Sequence, residues 1–163
     1  MTDSLAVIAL GSNLGDRATT LDSAVRALDA LPGCRVEAVS SWHGTVALTV
    51  DGLDPERPAY LNGVLLLRTE LTPHELLDAL RAIEQSHGRE RAERWGDRTL
   101  DLDLIAVDDL VITSPELEVP HPRAHERDFV LAPWLEVQPD AIVPGRAPVA
   151  ELLAERRAHE GRP

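Results

Sequence analysis

The sequence predicts an α+β domain of ferredoxin-like layout, βαββαβ, with an antiparallel sheet, helices on one face and a C-terminal extension. Three observations carry that prediction. Four short apolar runs, at 5–10, 35–42, 60–71 and 99–107, have the length and patterning of strands. Two segments between them, one over 21–31 and one after Thr72, repeat apolar residues at helical spacing. The 163 residues suit one hydrophobic core, so a single domain over 1–163 is expected.

The first strand is "LAVIAL" (5–10), a continuous apolar run expected to be buried. "GSNLGDR" comes next as a turn. Its glycines suggest a phosphate-cradling loop, but it lacks the Lys-Ser/Thr of a nucleotide-binding P-loop and reads as a strand-to-helix connection bordering a ligand. Leu21, Val25, Leu28 and Leu31 form one helical face, which Pro32-Gly33 ends. "RVEAVSSW" (35–42) alternates as a strand should, while 43–58 has few periodic apolar residues and reads as a long functional loop. "YLNGVLLLRTEL" (60–71) is the third strand.

The second helix is the best marked. Thr72 is its N-cap, Pro73 its first residue, Glu75 completes a capping box, and Gly88 closes it. Leu76, Leu77, Leu80 and Ile83 are its apolar face. "RERAERWGDR" (89–98) is a polar loop and "TLDLDLIAV" (99–107) the fourth strand. A short strand at 110–112, a short helix at 129–140 and an amphipathic helix at 148–160 complete the chain.

Composition excludes several classes of function. The net charge of −12 disfavours general binding to nucleic acid or an anionic membrane. No run reaches the roughly 20 apolar residues of a membrane span. A single cysteine, Cys34, permits no intrachain disulfide and fits a reducing, cytoplasmic setting. The start has no basic region of the kind that opens a signal peptide. No apolar stripe is left over for self-association, so a monomer is expected. All 16 basic residues are arginine, so every phosphate contact available to the chain is a planar, permanently charged one.

Asp101 and Asp103, in "RTLDLDLI", are the residues that need an explanation. On a strand, residues two apart share a face, with Cα atoms about 6.7 Å apart. Leu100, Leu102 and Leu104 then take the core face. Two neighbouring carboxylates repel unless a positive group lies between them, an arginine or a hard cation such as Mg2+. Arg89, Arg91, Arg94 and Arg98 crowd just upstream, and "HPRAHERDF" adds His121, Arg123, His125 and Arg127. A metal-ready carboxylate pair beside clustered guanidiniums is what phosphoryl transfer from a nucleoside triphosphate requires. A salt-bridged edge strand is the plain alternative. No third soft ligand joins the histidines, which argues against zinc. Trp95, inside the arginine loop, suits a lid over a bound base.

These motifs resemble the 6-hydroxymethyl-7,8-dihydropterin pyrophosphokinase family. "GSNLGDR", "YLNGV", "RWGDRTLDLDLI" and "VPHPRAHERDFVLAPWLEVQPD" carry the likeness over nearly the whole chain. The resemblance implies a ferredoxin-like fold and transfer of pyrophosphate from ATP to a pterin alcohol in folate biosynthesis, with AMP as the other product. It implies Asp101 and Asp103 as ligands of two Mg2+ ions, and Arg89 and Arg98 as catalytic phosphate-binding arginines. Glu84, Arg91, Trp95, Leu104, His121, Arg123 and Arg127 complete the implied ATP site. Tyr60 and Phe129, whose ordinary reading is packing, fall where the family sandwiches the pterin ring. Asn62 falls where an amide reads the pterin edge, and Gly11, Thr45 and Leu48 line that pocket. The first loop, "GTVALTVDGLDPERP", lacks the family's early prolines, and Asp97 stands where a proline or small residue is usual. Two other functions carry different expectations: a related transferase with another acceptor, and a binding module without turnover.

Overall fold

The computed structural model describes residues 3–12, 17–45, 48–49, 52–53, 60–88 and 100–159. Its elements run β1 (Ser4–Ser12), α1 (Arg17–Asp29), β2 (Cys34–Val39), β3 (His43–Thr45), β4 (Leu48–Thr49), β5 (Gly52–Leu53), β6 (Tyr60–Thr69) and α2 (Pro73–Gly88). After these come β7 (Asp101–Val107), β8 (Ile112–Thr113), β9 (Glu118–Val119), a 3-10 turn (Ala124–Glu126), α3 (Asp128–Val137) and α4 (Val149–His159). No helix among the described residues is long and apolar enough to cross a membrane.

The main sheet has the order β2-β6-β1-β7, and β3 adds to the far end of β6. All of these pairings are antiparallel. Alternation divides its side chains between two layers. Ala6, Ile8 and Leu10 of β1, Leu65 and Leu67 of β6, and Leu102 and Leu104 of β7 pack under Leu21 and Leu28 of α1 and Leu76 and Leu80 of α2. Val7, Ala9, Val64, Leu66, Ile105 and Ala106 pack on the other side against Val130, Leu131 and Trp134 of α3 and Val149 and Leu153 of α4.

Helices therefore cover both faces, where the sequence suggested one. The apolar run of β1 is continuous, so Val7 and Ala9 need cover of their own, and the C-terminal extension supplies it. The capping box forms as expected: Glu75 N–H donates to Thr72 Oγ1 (3.1 Å) and Thr72 N–H to Glu75 Oε1 (2.8 Å).

Several boundaries differ from expectation, three of them near the site. β1 runs on through Gly11 and Ser12, because Gly11 still pairs with both Asn62 and Asp101. The expected loop 43–58 carries β3 and a two-residue hairpin, β4 with β5. β2 stops at Val39, and Trp42 lies across β6 where Gly63 leaves room. A Cβ at that glycine would meet the Trp42 ring at 2.4 Å, so only glycine permits the contact. The register of β1 on β7 also slips, from Val7↔Ala106 to Ile8↔Leu104, which leaves Ile105 as a bulge.

Candidate active site

The carboxylate pair sits where alternation puts it. Leu100, Leu102 and Leu104 are buried in the layer under α1 and α2, and Asp101 and Asp103 are half-buried on the opposite face. On that face α3 and α4 cover Val64, Ala9, Ile105 and Ala106, while the Asn62, Gly11 and Asp101 end lines a cavity. That cavity, of about 540 Å³, is lined by Ala9, Leu10, Gly11, Asn62, Asp101, Asp103, Arg123, Arg127 and Phe129. The register explains the grouping: Asn62, Gly11 and Asp101 lie in one row across three strands, and Val64, Ala9 and Asp103 in the next. The small side chains in the middle strand leave the depth of the cavity.

The second wall comes from the segment entering α3. Arg127 is the residue before that helix, and its extended backbone (φ −118°, ψ 106°) lets it reach back over the sheet. Its Nη1 lies 3.8 Å from Asp103 Oδ2, and its guanidinium carbon lies 5.6 Å from the centroid of the Phe129 ring. Phe129 is 41% exposed, unusual for a phenylalanine beside a cavity, and its ring is available to a flat partner. Asn62, buried at 7% exposure, is one of few buried polar residues. One arginine thus offsets one carboxylate and stacks on the aromatic wall.

His121 borders the same charges. Its backbone N–H donates to the Ile105 carbonyl (2.7 Å), and its Nδ1 accepts from the Arg123 N–H (3.2 Å). Burial holds its imidazole below the ordinary value, with Asp103 pulling it up and Arg127 pulling it down. Among the described residues, no group of three His, Cys, Asp or Glu is placed for a metal. Two carboxylates on one face, open to a cavity with room for phosphate oxygens, do fit a hard cation that takes one or two protein ligands.

Two residues expected at the nucleotide do not line this cavity. Glu84, on α2, accepts the Leu102 N–H at 2.7 Å and so braces the edge strand from behind. Leu104 is 4% exposed and belongs to the core beneath α1 and α2, so its side chain does not reach the cavity. Thr45 and Tyr60 pair with each other across β3 and β6, two residues before Asn62 on β6, and Leu48 opens β4. Arg89, Arg91, Trp95 and Arg98 lie outside the described residues.

The sequence reading missed Ala9, whose place in the floor needs the register of β1. It also missed the contacts that hold the walls. Glu136 of α3 accepts from Ser41 N–H (2.8 Å), Ser41 Oγ (2.9 Å) and His43 Nε2 (3.0 Å), anchoring the root of β3. Arg156 of α4 donates through Nε to Asp128 Oδ1.

A protein-family model described as 7,8-dihydro-6-hydroxymethylpterin-pyrophosphokinase (HPPK) matches residues 7–139. A 2-amino-4-hydroxy-6-hydroxymethyldihydropteridine pyrophosphokinase of Synechocystis is 44% identical over 139 residues, covering 85% of this chain and 69% of that one. The Haemophilus influenzae protein of the same name is 36% identical over 155 residues, covering 95% and 94%. Among solved structures, a Plasmodium falciparum HPPK-DHPS variant with pteroate superposes with a TM-score of 0.72 at 12% identity, a likeness of fold. It takes in 97% of this chain and 44% of that one, so the chain spans less than half of the solved protein.

Proposed function

The chain belongs to the 7,8-dihydro-6-hydroxymethylpterin-pyrophosphokinase family, and we propose that it transfers pyrophosphate from ATP to the hydroxymethyl group of 6-hydroxymethyl-7,8-dihydropterin, a step of folate biosynthesis. The observation that supports this best is the joining, in one cavity, of a carboxylate pair with a buried amide and an exposed aromatic ring. Charge-handling groups lie at one side and groups suited to a flat heterocycle at the other. The frame that carries them is read as ferredoxin-like, four strands in the order β7-β1-β6-β2 with α1 and α2 behind.

In this reading Asp101 and Asp103 hold two Mg2+ ions, which when bound neutralise the triphosphate oxygens. Asn62 reads the pterin edge and Phe129 stacks on its ring, with Tyr60 as the second aromatic of the sandwich. Arg127 steadies the wall between the two sites, and Arg123 and His121 border the phosphates. Arg89, Arg91, Trp95 and Arg98 complete the ATP site. The hydroxymethyl oxygen forms a bond to the β-phosphorus, the bond from that phosphorus to the α,β-bridging oxygen breaks, AMP leaves, and the hydroxyl proton passes to water. Positioning and charge neutralisation carry most of the rate in this scheme. The same reading has one domain acting as a monomer in the cytoplasm.

The test is the nucleotide product. Purified protein with ATP, Mg2+ and the pterin alcohol should yield AMP and the pterin diphosphate in equal amounts. ADP in place of AMP would replace the reading with γ-phosphoryl transfer or hydrolysis. Binding of both substrates without turnover would make the chain a binding module.

A further inference from the structure

Arg127, Asp128 and Phe129 are consecutive, and the first and third line the cavity while the second does not. A guanidinium beside a sequence-adjacent carboxylate has a ready local partner. In a chain with 28 acidic residues and 16 arginines, a loose carboxylate next to a working arginine is a competitor. The structure gives Asp128 a different partner. Arg156, on the helix that packs against α3, donates through Nε to Asp128 Oδ1. Arg127 is left 3.8 Å from Asp103 and over the Phe129 ring. The place of Arg156 is set by the core, since Val149 and Leu153 on the same helix are buried in the layer beneath α3.

We propose that Arg156 is a positioning residue for the pterin wall: by occupying Asp128 it keeps the Arg127 guanidinium on Asp103 and Phe129. The C-terminal helix thereby takes part in substrate binding without touching substrate. This rests on the pterin reading of the cavity.

Calorimetric titration with the pterin alcohol and, separately, with Mg2+-ATP tests it. Arg156→Ala should weaken pterin binding roughly threefold to tenfold, the range set by loss of an aromatic–guanidinium wall, and Mg2+-ATP binding by a clearly smaller factor, since the Arg127–Asp103 pair is long and partly exposed. Adding Asp128→Asn to that variant should restore pterin binding to within about twofold of wild type, because the competitor has lost its charge. Asp128→Asn alone should bind pterin like wild type, and it serves as the test if Arg156→Ala does not fold. A purely structural clamp predicts the reverse, since Asp128→Asn weakens the contact to Arg156 by removing its charge and repairs nothing. Wild-type pterin affinity in Arg156→Ala, equal losses for both ligands, or no recovery in the double variant would each overturn the proposal. Failure of the wild-type chain to bind pterin would instead overturn the functional reading.

Discussion

Asp103 has two partners to serve. It faces a cavity that suits a divalent cation, and it already answers to Arg127 at 3.8 Å. The pair is long and nearly half exposed on the carboxylate side, so it contributes little to stability and can open when a cation arrives. Asp103→Asn should therefore leave the melting temperature within about 2 °C, a fraction of a kcal/mol. It should lower AMP release on the order of a hundredfold or more, as loss of a preorganised charge at a transferring phosphoryl group does. Turnover near the wild-type rate would remove Asp103 from the metal site. The residue scale was legible in part. Alternation alone put Asp101 and Asp103 on one face and Leu102 on the other. The partners of Asp103 were not legible, because Arg127 reaches it only once α3 has docked.

At the scale of elements, α3 does more than cover the sheet. Its first turn presents Phe129 to the cavity, and its last presents Glu136 to Ser41 and His43 at the root of β3. One helix thus ties two walls together. The hydrogen bond from His43, then that from the Ser41 backbone, hold the Glu136 carboxyl below its ordinary value. A carboxyl lowered in the folded state adds stability above its unfolded value and loses it as the pH falls through the folded one. Wild type should thus melt above Glu136→Gln near pH 7, and the gap should narrow toward pH 3. The site is exposed, so screening keeps the contribution under about 1 kcal/mol, or no more than about 4 °C. A gap that widened toward acid would contradict the assignment. Local signals such as the capping box at Thr72 were readable because both partners lie within one turn. The Ser41–Glu136 contact joins residues 95 apart and leaves no local trace.

Over the whole molecule, the sheet is a partition between two cores with different duties. One layer packs under α1 and α2, and the other, under α3 and α4, borders the cavity through Ala9. Trp134, 1% exposed, is the largest side chain in that second layer. Trp134→Ala should destabilise by about 3–5 kcal/mol, read as a shift in the urea midpoint. It should weaken pterin binding as well, because the helix that carries Phe129 loses its seat. A loss under about 1 kcal/mol would mean that the second layer is ornamental to folding. The layered division was half legible: the apolar run 5–10 demanded cover on both faces, but which segment would supply it depended on the docking of the extension. The bulge at Ile105 is where the two duties meet. Strand length there acts as a phase setting. Upstream of it, inserting or deleting one residue within 101–104 would rotate the carboxylates into the wrong core. At Ile105 itself, a deletion would restore an even ladder and keep Ala106 and Val107 opposite Val7 and Ala6, with the loss of one buried side chain. Length variation in this strand should therefore be tolerated at one point alone, and a library of single-residue insertions and deletions along β7 would show survivors clustered at that hinge of register.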